Sequence, residues 1–394
     1  MIYYLVLLLL LILSVRYDIN GKTEYRKHWY YTVLVIFVLL AGLRFRLGED
    51  TIHYLYHFYH LTPNLSDISL DTLLSNGQPP LWIILNSIVK TLGGRFFVVQ
   101  IIQAAILCVL ILRYFEKHSS YPFACAALFF FWRYQWYSMV VMKAAIALSI
   151  ILFANDYFLE KKYKKGILLV LLATGFHQSS VLLVIVPFLT FLRFNRLGIV
   201  FLVISLFVSA FLQSRLGDVF AMMEFSEGVS NKLDSYMDSG SMSQQHNLNY
   251  FLIKVFPIIV YPILSIAYLK RNCKNSKTLK LEPFLMIALM FQIMQFNINI
   301  MYRYVYVFTP YFIIFIVQFI IDFSKNSFEL KRSLAYVRTF TLLLPLFASL
   351  HYLYPMNQVS FNPYSSIIEK STYRDREKYF AEVKELYSLN LDEY

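Results

Sequence analysis

The chain has 394 residues, of which 58% are hydrophobic and 18% aromatic, and only 15% are charged. Soluble domains carry roughly 25% charged residues, so too little charge remains to cover two or three soluble domains of this length. The net charge of +12 does not point to nucleic acid, because excess Lys and Arg in a membrane protein collect in cytoplasmic loops.

Apolar runs such as 2–15, 31–43, 96–112 and 312–321 need a hydrocarbon solvent. Candidate spans centre near residues 8, 36, 86, 104, 127, 149, 170, 184, 205, 259, 292, 312 and 345. They predict an all-α polytopic membrane protein of about 12 membrane helices, some of them short or re-entrant. The first run has no basic leader and no small-residue cleavage site, so it reads as a retained helix. Cys108, Cys125 and Cys273 show no spacing that marks a disulfide framework or a metal cluster. No repeat or linker divides the chain, which reads as one membrane domain, 1–353, and a charged, partly amphipathic tail, 354–394.

Basic clusters mark the expected cytoplasmic side: Arg16 to Lys27, Arg113 with Lys117, Lys161 to Lys165, Arg193 with Arg196, Lys270 to Lys280, and Lys325 to Arg338. Two longer loops, 44–79 and 215–249, are acidic by contrast and are expected outside. Counting crossings between these markers leaves two conflicts. They resolve if 79–94 enters from outside and returns, and if 166–192 breaks near Thr174-Gly175-Phe176-His177. Broken segments are tolerated in a membrane only where they line a protein cavity, so the count points to a polar site. By the same parity the tail lies outside, on the membrane or against a chain-length regulator.

The densest polar stretch is Arg44-Phe45-Arg46-Leu47-Gly48-Glu49-Asp50, followed by His53, Tyr54, His57 and His60. On a helix, Asp50, His53, His57 and His60 share one face. Such a face suits either a metal ion or an aromatic-rich interfacial helix, and it lacks the glutamate of the usual HExxH zinc motif. Arg44 and Arg46 offer guanidinium forks that match phosphate oxygens, or they pair locally with Glu49 and Asp50. Further along, Lys143 opens an apolar helix after Trp132-Arg133-Tyr134-Gln135-Trp136, His177 interrupts an apolar stretch, and Arg303 lies among Tyr302, Tyr304 and Tyr306. Together these give a cationic ring near the outer interface, Arg44, Arg46, Lys143 and Arg303, with Asp50 and His177 as ionisable partners. Walker and Ser-His-Asp patterns are absent, which argues against an energy-coupled pump. The chemistry best served is transfer from a lipid-linked phosphate.

The run Gly42-Leu43-Arg44-Phe45-Arg46-Leu47-Gly48-Glu49-Asp50, with Tyr54 after it, resembles the opening motif of EpsG-like proteins, bacterial Wzy-type polymerases of exopolysaccharide, capsule and O-antigen. Gly175-Phe176-His177-Gln178-Ser179 is similar to the family's mid-chain Phe-His-x-Ser, and Arg303 to an Arg near its penultimate helices. Two positions depart: Gln78-Pro79-Pro80 stands where the family often has Glu-Pro, and Lys143-Ala144 where it often has Arg-Gln. Gln78 cannot act as a base, and Lys143 keeps the charge without the fork.

The resemblance implies a multi-pass glycosyltransferase of the bacterial inner membrane with its site facing the periplasm. Its donor and acceptor would be undecaprenyl-diphosphate-linked oligosaccharides, and it would need no metal and no cofactor. Asp50 or His177 would take the acceptor proton. Arg44, Arg46, Lys143 and Arg303 would bind the diphosphate, with Tyr54 and Gln78 beside them and the exposed rings of Trp132 and Trp136 stacking on sugars. A flippase of lipid-linked sugar and a membrane O-acyltransferase are the competing expectations. The flippase would show internal helix repeats, which the sequence does not have.

Overall fold

A computed structural model describes residues 2–221, 256–273, 276–328, 359–378 and 380. Helix α1, Ile2–Leu13, runs on as a wider turn, Ser14–Ile19, and α2 follows at Arg26–Gly42. The loop after α2 holds two short helices, α3 (Thr51–Tyr56) and α4 (Leu70–Ser75), with a wide turn, His57–Leu61, after α3. The remaining helices are α5 (Pro80–Thr91), α6 (Phe96–His118), α7 (Pro122–Phe129), α8 (Met142–Leu159), α9 (Tyr163–Phe176), α10 (Val186–Leu189), α11 (Arg196–Ala221), α12 (Phe256–Asn272), α13 (Glu282–Asn297) and α14 (Tyr302–Phe328). Between α7 and α8 the chain continues in two wide helical turns, Phe130–Tyr134 and Trp136–Val140. Among the described residues there is no strand, only an isolated antiparallel bridge between Arg44 and Ser366.

Six segments are long and apolar enough to cross a membrane among the described residues: Ile2–Ile19, Phe96–His118, Met142–Leu159, Arg196–Gln213, Lys277–Asn297 and Tyr302–Lys325. The architecture is therefore the all-α polytopic membrane fold that the composition predicts. Helix α14 forms its centre, with Tyr311, Phe312, Ile313, Ile314 and Phe315 all inaccessible. Leu5, Leu8, Leu11 and Ile12 of α1 and Val200, Val203, Phe207 and Phe211 of α11 are exposed instead. Large apolar side chains outward on long helices fit a hydrocarbon surround, where they forfeit nothing.

The short segments are where the crossing count predicts them. Pro80 starts α5 at a position whose missing N–H is one of the helix's unpaired donors. The helix has 12 residues, about 18 Å, against a hydrocarbon thickness of about 30 Å. Helix α9 stops at Phe176 because His177 turns extended (φ −151°, ψ 106°), and a tighter 3-10 run, Gln178–Ile185, follows. An added Cβ on Gly175 would meet the Leu81 side chain, so glycine lets α9 lie against α5 next to His177.

Two poles result. Gly42 ends α2, while Met142 and Tyr302 begin α8 and α14, so these termini meet at one pole. The opposite pole gathers ion pairs: Arg26–Asp18 at 3.5 Å, Lys117–Asp156 at 2.7 Å, His118–Asp156 at 3.0 Å and Lys270–Glu282 at 2.5 Å. Helix α11 reaches Ala221, into the first residues of the expected loop 215–249, and the rest of that loop lies outside the described residues. The span expected near residue 345 also lies outside them. In the expected amphipathic tail, 354–394, residues 374–378 are helical, and residues 381–394 lie outside the described part.

Candidate active site

The loop after α2 carries the first site residues and is held as a shelf. Arg44 is 1% exposed and folds back on its own loop. Its Nη1 donates to the Ala41 carbonyl at 2.5 Å, Nε to Leu47 O at 3.4 Å, and Nη2 meets Met142 Sδ at 3.1 Å. Gly48 has φ +99°, and a Cβ there would strike the Met139 carbonyl, so glycine is required for both its conformation and its contact. The C-terminal segment docks on the same loop. Phe45 N donates to Ser365 O at 2.8 Å, Gly48 N to Ser360 O at 2.9 Å, and Ile367 N to Leu43 O at 2.8 Å. Arg46, with φ +49° and its ring-facing guanidinium 4.8 Å from the Phe45 centroid, pairs with Glu377 of this segment at 3.8 Å. The two arginines thus differ from the expected pair of phosphate forks: Arg44 is a buried brace, and Arg46 engages the tail.

Four other candidates converge from separate parts of the chain. Asp50 precedes α3, Lys143 opens α8, His177 separates α9 from the 3-10 run, and Arg303 opens α14. Burial raises the Asp50 carboxyl above its ordinary range, and the charges of His53, Lys143 and Arg303 only partly offset this. His177, outside the six long spans, is pushed down to about 4 by burial first, then by Arg303 and Lys143. The same two cations therefore act on both ionisable candidates. The shift makes the Asp50 carboxylate a better proton acceptor than an exposed one, and the same surroundings make the His177 imidazole, neutral at pH 7, a poorer one than usual.

Lys143 also binds Gln78, donating from Nζ to Oε1 at 2.5 Å, and its ammonium lies 5.6 Å from the Tyr54 ring centroid. Gln78 Nε2 lies 3.2 Å from His57 Nε2. Of the expected histidine face, His57 is thus tied to Gln78, and His60 stacks on Tyr56 with centroids 5.0 Å apart. Among the described residues no three His, Cys, Asp or Glu side chains gather as a metal would need.

Trp132 is 3% exposed, not the open stacking ring that the sequence suggests, and Trp136 is half-buried. Arg133 lies between the Trp132 ring, 4.9 Å from its centroid, and the Tyr306 ring, at 4.6 Å. Tyr302 continues the aromatic wall, 5.2 Å from Tyr306, and accepts from Arg303 Nε at 3.5 Å. The indole N–H groups of Trp132 and Trp136 are buried and meet no acceptor among the described residues.

Three features escape a sequence reading. Arg133 belongs to the polar wall between two aromatic rings, His57 is joined through Gln78 to Lys143, and residues 359–378 complete the shelf. Only the polar Gln78 before Pro79-Pro80 gave a local signal for any of them.

A polytopic helical membrane protein with ionisable residues converging at the ends of its helices is the class that this fold and site define. Residues 27–366 match the EpsG family, and the chain belongs to it, a Wzy-like polysaccharide polymerase family. No curated protein and no solved structure matches the chain.

Proposed function

We propose that the protein elongates a surface glycan by transferring a lipid-diphosphate-linked chain onto the non-reducing sugar of another lipid-linked repeat unit. The site would face outward from the inner membrane, and the lipid carrier would be undecaprenyl diphosphate. The observation that carries this is the convergence of Asp50, Lys143, His177 and Arg303, with both cations acting on both ionisable groups. The EpsG family membership supports the polymerase class.

The acceptor hydroxyl oxygen attacks the anomeric carbon of the donor, and its proton passes to the Asp50 carboxylate. The bond from that carbon to the phosphate oxygen breaks, and the electron pair leaves with the lipid diphosphate. Lys143 and Arg303 offset the charge that develops there, where few competing waters weaken the attraction. His177, neutral, serves as a hydrogen-bonding partner of the substrate. Arg44 holds the shelf from beneath, and Trp136 with Tyr302 and Tyr306 would receive the sugars.

A deletion strain carrying plasmid-borne variants tests this on a gel of its glycan. Loss of the gene should remove long chains and leave single units, and Asp50→Asn, Lys143→Ala and Arg303→Ala should fail to restore them. Loss of all surface glycan would indicate an exporter, and unchanged lengths with altered mass an acyltransferase. Either result overturns the proposal.

A further inference from the structure

The chain Lys143–Gln78–His57 fixes where protons sit. An ammonium has donors only, so the side-chain oxygen of Gln78 faces Lys143 Nζ, at 2.5 Å. The amide nitrogen then faces His57 Nε2, at 3.2 Å, and an amide NH2 can only donate. His57 Nε2 must therefore accept, which puts the imidazole proton on Nδ1 and leaves the ring neutral. The backbone is held too, since Thr62 donates to the His57 carbonyl from both N and Oγ1 at 2.8 Å.

We infer that Gln78 is a positioning residue with two effects. It holds His57 as the neutral Nδ1–H tautomer, and it engages Lys143 without cancelling its charge. A carboxylate at position 78 would do the opposite on both counts. It would pair with Lys143 as an ion pair, and it would accept a proton from His57 Nε2, favouring the other tautomer or the imidazolium. An amide is the side chain of this length that reads an ammonium on one side and an imidazole lone pair on the other while adding no charge. Tyr56 lies beside His57, with ring centroids 6.1 Å apart, and Tyr54 faces the Lys143 ammonium at 5.6 Å from its ring centroid. Neither ring changes the donor-only logic of Lys143. The second effect matters for an anionic ligand and rests on the diphosphate function proposed above, whereas the first stands without it.

The test uses the full chain in nanodiscs, labelled with 15N-histidine, with His57→Asn identifying the His57 signals by subtraction. Near neutral pH the wild type should show a protonated Nδ1 and an unprotonated, hydrogen-bonded Nε2. Gln78→Glu should move the proton onto Nε2. A wild-type proton on Nε2, or the same tautomer in both proteins, overturns the first effect. Inorganic pyrophosphate titrated into the same samples tests the second. Gln78→Glu should bind it about tenfold more weakly, the scale of one charge-assisted contact. Equal affinity overturns the second effect. If the wild type binds no pyrophosphate, the diphosphate function fails and takes the second effect with it, while the tautomer result still decides the first.

Discussion

Arg46, four residues past α2, pairs at 3.8 Å with Glu377, almost at the other end of the chain. The side chains are 8% and 26% exposed, so the pair itself stabilises by no more than about 1 kcal/mol. The three backbone hydrogen bonds beside it, and Tyr3, which donates to the Phe361 carbonyl at 3.2 Å, carry most of the docking. Glu377→Ala should therefore leave glycan length nearly normal. Removal of residues 359–394 should abolish long chains, because the shelf leading to Asp50 loses its cover. Gel analysis of both strains checks this contrast.

Arg44 gives a stability prediction. Replacing it with Ala strands the buried Ala41 carbonyl, leaves Leu47 O to the Thr51 hydroxyl alone, and removes the contact to Met142. The expected loss is about 3 kcal/mol, with a lower unfolding midpoint in detergent. Arg44→Lys should recover only part of it, since one ammonium cannot span three partners set in a fork. If Arg44→Ala unfolds like the wild type yet makes no polymer, Arg44 touches substrate instead.

Asp50 sets a pH dependence. Its carboxyl lies above the usual carboxylate range, and only the ionised form can take a proton. Activity should fall as pH drops through that raised value and level off above it. Asp50→Asn should lower the rate by about 10²–10⁴-fold and remove this acid limb. His177 is already neutral well above pH 4, so His177→Asn should leave the limb in place. Rates measured with purified protein between pH 4 and 8 decide between the two.

Trp136 offers a narrower test of sugar contact. Its indole N–H meets no acceptor among the described residues, and a glycan bound beside the half-buried ring would supply one. Trp136→Phe keeps the ring and deletes the donor, and should weaken acceptor binding by about tenfold with little change in the saturated rate. Trp136→Ala, which also removes the packing against Tyr306 (centroids 6.3 Å apart), should lose more.

The helices were legible because hydrocarbon burial is written locally, in runs such as 96–112 and 312–321. The break at His177 was legible for a related reason: 27 residues from Lys165 to Arg193 cannot hold two full spans. The cluster of Asp50, Lys143, His177 and Arg303 could be named, since each is an ionisable residue next to an apolar run. The use of each arginine could not. Arg44 turned inward because carbonyls of its own loop point at it, and Arg46 turned to a tail partner whose position depends on the whole fold. Trp132 likewise looked exposed only because a turn between helices usually is, whereas here the chain stays helical from Pro122 to Val140 and buries the ring.

The most direct measurement incubates the purified full-length protein with lipid-diphosphate-linked repeat units and follows both glycan length and released lipid diphosphate. The expected result is a ladder of products, one lipid diphosphate released for each bond formed, and neither product with Asp50→Asn. A wild-type protein that leaves single units intact, or an Asp50→Asn protein that builds the same ladder at the same rate, would contradict it.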